Sequence, residues 1–294
     1  MLTLRAPAKI NLSLRVLRRR EDGFHDIESL MCPLELADEI DLDCAGPAAG
    51  GATDTPGVEF SCDDASLPSD GSNLAVRATV LFLRRAGLEG KHGVRVALRK
   101  RVPHGAGLGG GSSDAASVLL GLNALFSTNL KLDALTALAA ELGSDVPLFL
   151  HRSAAICRGR GERVEPLKFP ARLPLLLLKP AFGVPTPWAY GRWRHAREIP
   201  GVSYAPQPFG WGELVNDLER PVFEKYLLLA AMKEWLLEQK ETVAGALLSG
   251  SGATVLAVLR DGASASTAEE LARRAQTHFG TDFWSCHTHT VAPS

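Results

Sequence analysis

Ile10, Leu12, Leu14 and Val16 alternate with Asn11, Ser13 and Arg15, the two-residue period of a strand with one buried face. The same pattern predicts strands over Ile27–Leu36, Glu39–Leu42, Val58–Cys62 and Val94–Leu98. Between them, Ala45–Gly57 is a Gly, Ala, Pro and Thr stretch with nothing to place in a core, and it is expected to be a mobile loop. The period changes at Asn73. Leu74, Ala75, Ala78, Leu81 and Phe82 recur at helical spacing up to Arg85, and Gly87 follows as a stop signal. Ser112–Leu125 and Asp133–Leu142 read as two further helices. Gly159 and Gly161 then lie among the charges of Arg158–Glu165, ahead of an apolar strand at Leu173–Leu178. That break predicts a domain boundary, dividing the chain into residues 1–160 and 161–294. Beyond it come an irregular Pro200–Gly212 stretch, a helix over Pro221–Glu238, a strand at Thr254–Leu259, a helix over Ser266–His278 and a strand at Phe283–Thr290. Strands and helices mixed without regular βαβ alternation predict an α+β fold in both halves.

Composition narrows the function more than the fold. With 46% hydrophobic and 22% charged residues, the 294-residue chain has the make-up of a globular protein large enough for two cores. Its 32 Lys and Arg against 33 Asp and Glu give a net charge of −1, so no overall field attracts a polyanion, and neither nucleic acid nor an acidic membrane is expected as a partner. The longest uncharged stretches, 115–130 and 244–259, are broken by Ser, Thr, Asn or Gly and fall short of the roughly 18 apolar residues of a membrane span. Arg5, Lys9 and Arg15 interrupt the first residues before a signal-type apolar run forms, which leads to an expected cytoplasmic location. Cys32, Cys44, Cys62, Cys157 and Cys286 are odd in number and widely spaced, so they are expected to be reduced thiols. His287 and His289 sit two apart beside Cys286, but no fourth ligand completes a metal set, and a surface strand is the expected reading.

The most informative segment is Pro103–Ser113, where Gly fills five of the seven positions from Gly105 to Gly111, between a strand and an apolar helix. A turn needs one or two glycines. So many are explained by close backbone approach to an anion, with N–H groups and the positive end of a helix dipole converging on phosphate oxygens. Ser112 and Ser113 are expected to cap that helix and offer hydroxyls. No Lys-Ser or Lys-Thr follows the glycines, which excludes a Walker loop. Gly105, Gly107 and Gly110 satisfy G-x-G-x-x-G, but the position about 20 residues on falls between two helices rather than at the end of a second parallel strand, which disfavours a dinucleotide site. Neither G-x-S-x-G nor H-E-x-x-H is present.

Two more segments fit a phosphate-handling site. In Pro7-Ala8-Lys9-Ile10-Asn11-Leu12, Lys9 and Asn11 share one strand face while Ile10 and Leu12 share the other. Leu248-Ser249-Gly250-Ser251-Gly252-Ala253 is a second small-residue loop between apolar runs. In this order the three segments resemble the motifs of the GHMP kinases, and the resemblance spans nearly the whole chain. Asp22-Gly23-Phe24-His25, Gly143-Ser144-Asp145-Val146-Pro147 and Pro185-Thr186-Pro187 with Tyr190 are similar to the branch that phosphorylates a cytidine diphosphate-linked sugar alcohol in the non-mevalonate isoprenoid route.

The resemblance implies a ribosomal-protein-S5-like N-terminal domain that binds ATP and a ferredoxin-like C-terminal domain, with the substrate cleft between them. It implies Lys9 and Asp145 as the catalytic pair, the carboxylate accepting the substrate hydroxyl proton. It places ATP on Pro103, Gly105, Gly107, Leu108, Gly109, Gly110, Gly111, Ser112 and Ser113, with Asn73 and Lys100 near the nucleotide and Mg²⁺ delivered with ATP. It places the substrate on Asn11, Thr186, Ser249, Gly250, Ser251 and Gly252. His25 would read the cytosine edge while Phe24 and Tyr190 sandwich the ring. The first of these aromatics is often Tyr in the family; Phe24 keeps the ring and loses the hydroxyl. Two other readings stay open: a GHMP kinase for another alcohol of the homoserine or mevalonate type, and a non-catalytic nucleotide-binding homologue.

Overall fold

A computed structural model describes residues 1–46, 55, 57–280 and 283–291. Most of the Ala45–Gly57 loop, residues 47–54 and 56, lies outside them. The first half is built on a long antiparallel ribbon of β1 (Leu2–Arg19) and β2 (His25–Ala45), so the two strands expected over 27–42 are one. Around it the chain adds β3 (Val58–Cys62), α1 (Leu74–Arg85), β4 (Gly93–Arg99), α2 (Gly110–Leu125), α3 (Leu132–Leu142), α4 (Val146–His151), β5 (Ala155–Gly159) and β6 (Arg163–Pro166). The second half supplies β7 (Pro174–Pro180), α5 (Thr186–Arg192), β8 (Gln207–Phe209), β9 (Gly212–Asn216), α6 (Glu219–Lys225), α7 (Leu227–Glu238), β10 (Val243–Leu248), β11 (Val255–Leu259), α8 (Ala265–Phe279) and β12 (Phe283–His289).

The first sheet runs β3-β4-β2-β1-β9-β8, with β5 on β2 and β6 on β5. Gly159 and Gly161, read from the sequence as a linker, have φ +70° and +119° and close the β5–β6 hairpin. A division at residue 160 therefore cuts a hairpin of the first sheet, and the change of sheet comes between β6 and β7. The chain also returns to the first sheet at β9, which pairs in parallel with Ser13 and Leu14 of β1. The second sheet runs β10-β11-β7-β12, all antiparallel. With helices between β7 and β10 and between β11 and β12, this is the ferredoxin-like order. The helix expected over Pro221–Glu238 is two, because Tyr226 leaves helical geometry at φ −109°, ψ 69°.

Three apolar cores hold these layers. One lies within the first sheet and its helices, one within the second, and a third joins the two sheets. Ile10 and Leu12 of β1 belong to the joining core with Leu177 of β7 and Leu256 of β11. Leu14 and Val16, two residues further along the same alternation, belong to the first. The register shift between Asn11 and Ser13 accounts for the switch, since one extra residue turns every later side chain to the opposite face. A second shift lies between Pro7 and Lys9. Lys9 stands opposite Pro33, which has no N–H, and its own N–H donates instead to the Leu108 carbonyl at 2.8 Å. Lys9 and Asn11 therefore face away from Ile10 and Leu12, on the side that Leu14 takes after the bulge, and the Lys9 N–H ties their strand to the glycine loop.

Candidate active site

α2 begins without a side-chain cap: its N-cap is Gly109, at φ +70°. By contrast Asn73 caps α1 and Ser264 caps α8 through their side chains. Ser112 and Ser113 do not cap α2 as expected, because both lie inside its first turn. The first helical bond is Ser113 N–H to Gly109 O at 2.9 Å, so the N–H groups of Gly110, Gly111 and Ser112 have no intrahelical acceptor. They border a cavity of about 390 Å³ lined by Asn73, Lys100, Pro103 and the Gly105–Ser112 backbone. Ser113 does not line it; its hydroxyl is buried with no hydrogen-bond partner. Asn73 reaches the cavity with its amide already engaged, accepting from Ala75 N–H and donating to the Pro68 carbonyl.

Lys100 is committed to protein partners. Its ammonium pairs with Asp38 and with Asp114 at 2.9 Å, both carboxylates buried. Burial alone would lower the lysine's pKa, but Asp114 and Asp38 outweigh it and raise it. Burial pushes the Asp114 carboxyl up, and the Asp38 charge adds to this against the pull of Lys100. Asp38 also accepts from the N–H groups of Arg101 and Val102, which fixes the entry to the glycine loop. Neither carboxylate was foreseen. Asp38 is 62 residues from Lys100, and no local pattern signals the contact.

The glycines serve different ends. A Cβ at Gly107, whose φ is +76°, would collide with the Ser249 carbonyl and lie 3.0 Å from that of Gly252. Gly107 is therefore required by the packing of two loops. A Cβ at Gly111 would meet only Leu74 Cδ1, at 3.7 Å, and otherwise enter open space at the cavity wall. Gly111→Ala is accordingly expected to leave thermal stability equal or slightly higher, by the roughly 0.5–1 kcal/mol that Ala gains over Gly in a helix. If Gly111 is there for close phosphate approach, ATP affinity falls about tenfold, about 1.4 kcal/mol. Calorimetry showing unchanged ATP affinity would remove phosphate approach as the reason for glycine there.

On the other side of the glycine loop lies a larger cleft of about 710 Å³, with Gly107 and Gly109 in both walls. Lys9 points into it from β1. Its ammonium donates to Asn11 Oδ1 at 2.7 Å and to Gly107 O at 3.1 Å, and pairs with Asp145 at 3.5 Å. Asn11 in turn donates to Ser29 Oγ at 2.8 Å, whose hydroxyl donates to the Ser13 carbonyl. Asp145 occupies the N-cap position of α4, yet its side chain makes no cap bond. Its carboxylate is one-third exposed while Lys9 is almost fully buried. A fixed cation thus stands behind a carboxylate that is open to the cleft, an arrangement able to take a proton from a hydroxyl while stabilising charge on the group it attacks.

The far end of the cleft is aromatic. Phe24 is half exposed, with the Arg160 guanidinium 4.8 Å from its ring centre. His25 is buried and stacks on Tyr190, centroids 5.4 Å apart at 30°. Burial, with Arg19 and Arg194 near by, pulls the His25 imidazole below its usual range, which favours the neutral ring. Burial pushes the Tyr190 phenol up, and the Asp145 charge adds to this. Thr186, first residue of α5, bonds Ser251 hydroxyl to hydroxyl at 2.7 Å. Gly250 and Ser251 line the cleft, whereas Ser249 and Gly252 lie behind it. Ser249 Oγ donates to Gly107 O at 3.2 Å, and a Cβ at Gly252 would meet Leu248. Arg160 and Arg19 are cleft residues that sequence reasoning missed. Both sit in charge-rich runs where only the fold selects one arginine over its neighbours. Among the described residues no group of three His, Cys, Asp or Glu is placed to hold a metal ion. His287 and His289 meet only each other as rings, at 5.1 Å.

A ferredoxin-like domain packed on an S5-like one, with an uncapped glycine-rich helix start between two clefts, defines a GHMP kinase. The model of the GHMP kinases N terminal domain matches residues 73–153, and that of the GHMP kinases C terminal matches residues 210–280. A 4-diphosphocytidyl-2-C-methyl-D-erythritol kinase of Methylacidiphilum infernorum is 42% identical over 281 residues, covering 95% of this chain and 93% of its own. The crystal structure of a 4-(cytidine 5'-diphospho)-2C-methyl-D-erythritol kinase superposes with a TM-score of 0.75 at 36% identity, over 99% of this chain and all of that one. A homoserine kinase from Cytophaga hutchinsonii shares the fold at TM-score 0.67, with 19% identity over 99% of this chain and 95% of its own. The chain belongs to the GHMP kinases and, within them, to the 4-diphosphocytidyl-2-C-methyl-D-erythritol kinase family.

Proposed function

We propose that this chain transfers the γ-phosphoryl group of ATP to a hydroxyl of 4-diphosphocytidyl-2-C-methyl-D-erythritol, a step of the non-mevalonate isoprenoid route. The observation that carries the reading is that the two clefts meet at Gly107 and Gly109, beside the Lys9–Asp145 pair. ATP lies in the smaller cleft with its phosphates on the free N–H groups of α2, and the γ-phosphate faces the larger cleft across the glycine loop. The cytidine-linked alcohol fills the larger cleft. Its hydroxyl gives its proton to Asp145, its oxygen bonds to the γ-phosphorus, and the bond to the bridging oxygen of ADP breaks. Lys9 orients Asp145 and, with the α2 N–H groups, stabilises the negative charge on the transferring group. Mg²⁺ would arrive with ATP and would offset the charge of its phosphates.

Cytosine sits at the aromatic end. It stacks on the exposed ring of Phe24; Tyr190, expected from the sequence as the second face of that sandwich, instead stacks on His25, which reads the cytosine edge. A neutral imidazole suits this task because it presents one donor and one acceptor. No helix among the described residues is long and apolar enough to cross a membrane, and we place the reaction in the cytoplasm with small molecules, not nucleic acid, as partners.

Tyr190→Ala tests the pocket. Without the ring that holds His25 against the base edge, KM for the cytidine-linked substrate rises by about tenfold, about 1.4 kcal/mol. Such support for the base acts on ground and transition states alike, so kcat is expected to fall less than KM rises, and KM for ATP barely moves. His25→Ala relaxes the choice between cytidine and uridine conjugates. Unchanged substrate KM in both variants would move the base elsewhere and favour a different alcohol.

A further inference from the structure

The segment Asn216-Asp217-Leu218-Glu219 joins β9 to α6 and lines neither cleft, though it bonds wall residues of the larger one. Asn216 is almost fully buried, and its amide spans the turn that leaves β10: Nδ2 donates to the Leu248 and Gly250 carbonyls, each at 2.7 Å. Its Oδ1 accepts from Leu218 N–H at 2.9 Å, which fixes the amide's orientation. Its backbone pairs with Leu14 of β1, three residues after Asn11. Asp217 N–H donates to the Leu14 carbonyl, and Asp217 Oδ2 accepts from Val16 N–H. Glu219, neutralised by Lys233 at 2.6 Å, accepts from Leu248 N–H. One short segment therefore grips the strand that carries Lys9 and Asn11 and also the loop that carries Gly250 and Ser251.

The grip ends at the reacting groups. A Cβ at Gly250, whose φ is +58°, would lie 3.2 Å from Asn11 Oδ1 and 3.6 Å from Lys9 Nζ. The Gly250 backbone is thus a wall of the dyad's own site. Ser251, next along, bonds Thr186 on the substrate side. The loop is tied to the glycine loop by Thr254 N–H to Ala106 O at 3.2 Å and by Ser249 Oγ to Gly107 O. The Gly250 carbonyl itself accepts from Asn216.

We infer that Asn216 is a positioning residue for phosphoryl transfer, setting the distance between the Gly250–Ser251 loop and the Lys9–Asp145 pair. The inference rests on the phosphotransfer reading above. In-line transfer is sensitive to such a distance, since a displacement of about 1 Å can cost on the order of 10²-fold in rate. Asn216→Ala removes both donors and leaves two buried carbonyls unpaired, freeing the loop to shift.

The test compares Asn216→Ala with Met232→Ala, which empties part of the second core on α7 without touching the Leu248–Gly250 carbonyls. Both are assayed well below their melting temperatures. Asn216→Ala is expected to lower kcat by roughly 10–100-fold and to raise the substrate KM, with ATP affinity by calorimetry within about twofold of the parent. Met232→Ala is expected to lose melting temperature and keep kcat. Hydrogen exchange across residues 248–252 should quicken in Asn216→Ala alone, a readout that stands even if the parent shows no turnover. Absent turnover by the parent counts against the functional reading, not against this one. Should Asn216→Ala fail to fold, Asn216→Ser keeps one hydroxyl donor and is expected to give an intermediate kcat. Parent-like kcat in Asn216→Ala, equal kcat losses in the Ala variants at positions 216 and 232, unchanged exchange at 248–252, or failure of both position-216 variants to fold would each overturn the assignment.

Discussion

Asp145→Asn is expected to lower kcat by roughly 10²–10⁴-fold while ATP affinity and melting temperature stay close to the parent's. The carboxamide keeps the shape of the carboxylate and loses the ability to accept the hydroxyl proton. The fold has little at stake in the change, because Asp145 makes no cap bond to α4 and pairs with Lys9 only at 3.5 Å. Substrate KM should change less than kcat, since the proton moves only as the transition state forms. A variant that turns over at the parent's rate would remove Asp145 from the reaction and leave the cleft's acid–base chemistry without an owner.

Lys9→Met is expected to lower kcat by roughly 10²–10³-fold, the scale on which loss of one preorganised charge or donor at a reacting centre is felt. Met retains most of the side-chain stem, and that stem matters: a Cβ at Gly109 would lie 3.0 Å from Lys9 Cγ, so the glycine loop rests on it. What disappears is the ammonium that orients Asp145 and holds Asn11 Oδ1 and Gly107 O. Asn11 Oδ1 is left buried and unpaired, which costs roughly 1–3 kcal/mol of stability, so melting is measured beside rate. A folded Lys9→Met variant with kcat within a few-fold of the parent would show that the buried ammonium is structural.

The fold class and parts of the candidate site are legible in the sequence, while the register and the exact element bounds are not. Lys9 and Asn11 declare themselves because a charged and an amide side chain interrupt an apolar alternation on one face, and the glycine loop because no turn needs so many glycines. The bulge between Asn11 and Ser13 is silent, since the alternation from Ile10 to Val16 runs unbroken while the side chains change cores. Gly159 and Gly161 misled because a hairpin turn and a linker draw on the same residues; only the pairing of β5 with β2 tells them apart. α6 and α7 merged for a related reason: both are apolar on their buried sides, and Pro221 is tolerated within the first turn of α6. Contacts that close over long stretches of chain, such as Lys100 with Asp38 or His25 with Tyr190, have no local trace at all. Side-chain capping by Ser112 and Ser113 was the wrong chemistry for α2, whose start is left bare.

The central claim is that ATP and a cytidine-linked alcohol meet across the glycine loop at Lys9 and Asp145. The measurement that tests it most directly is ADP release by the purified chain with Mg·ATP and, in separate reactions, 4-diphosphocytidyl-2-C-methyl-D-erythritol, mevalonate and homoserine, with phosphorus NMR of the products. ADP release should depend on the cytidine-linked alcohol and be matched by one new phosphomonoester on it, with its diphosphate intact; Asp145→Asn should slow both signals together, by the same factor. Equal or greater turnover of mevalonate or homoserine, or ADP release that no alcohol stimulates, would contradict it.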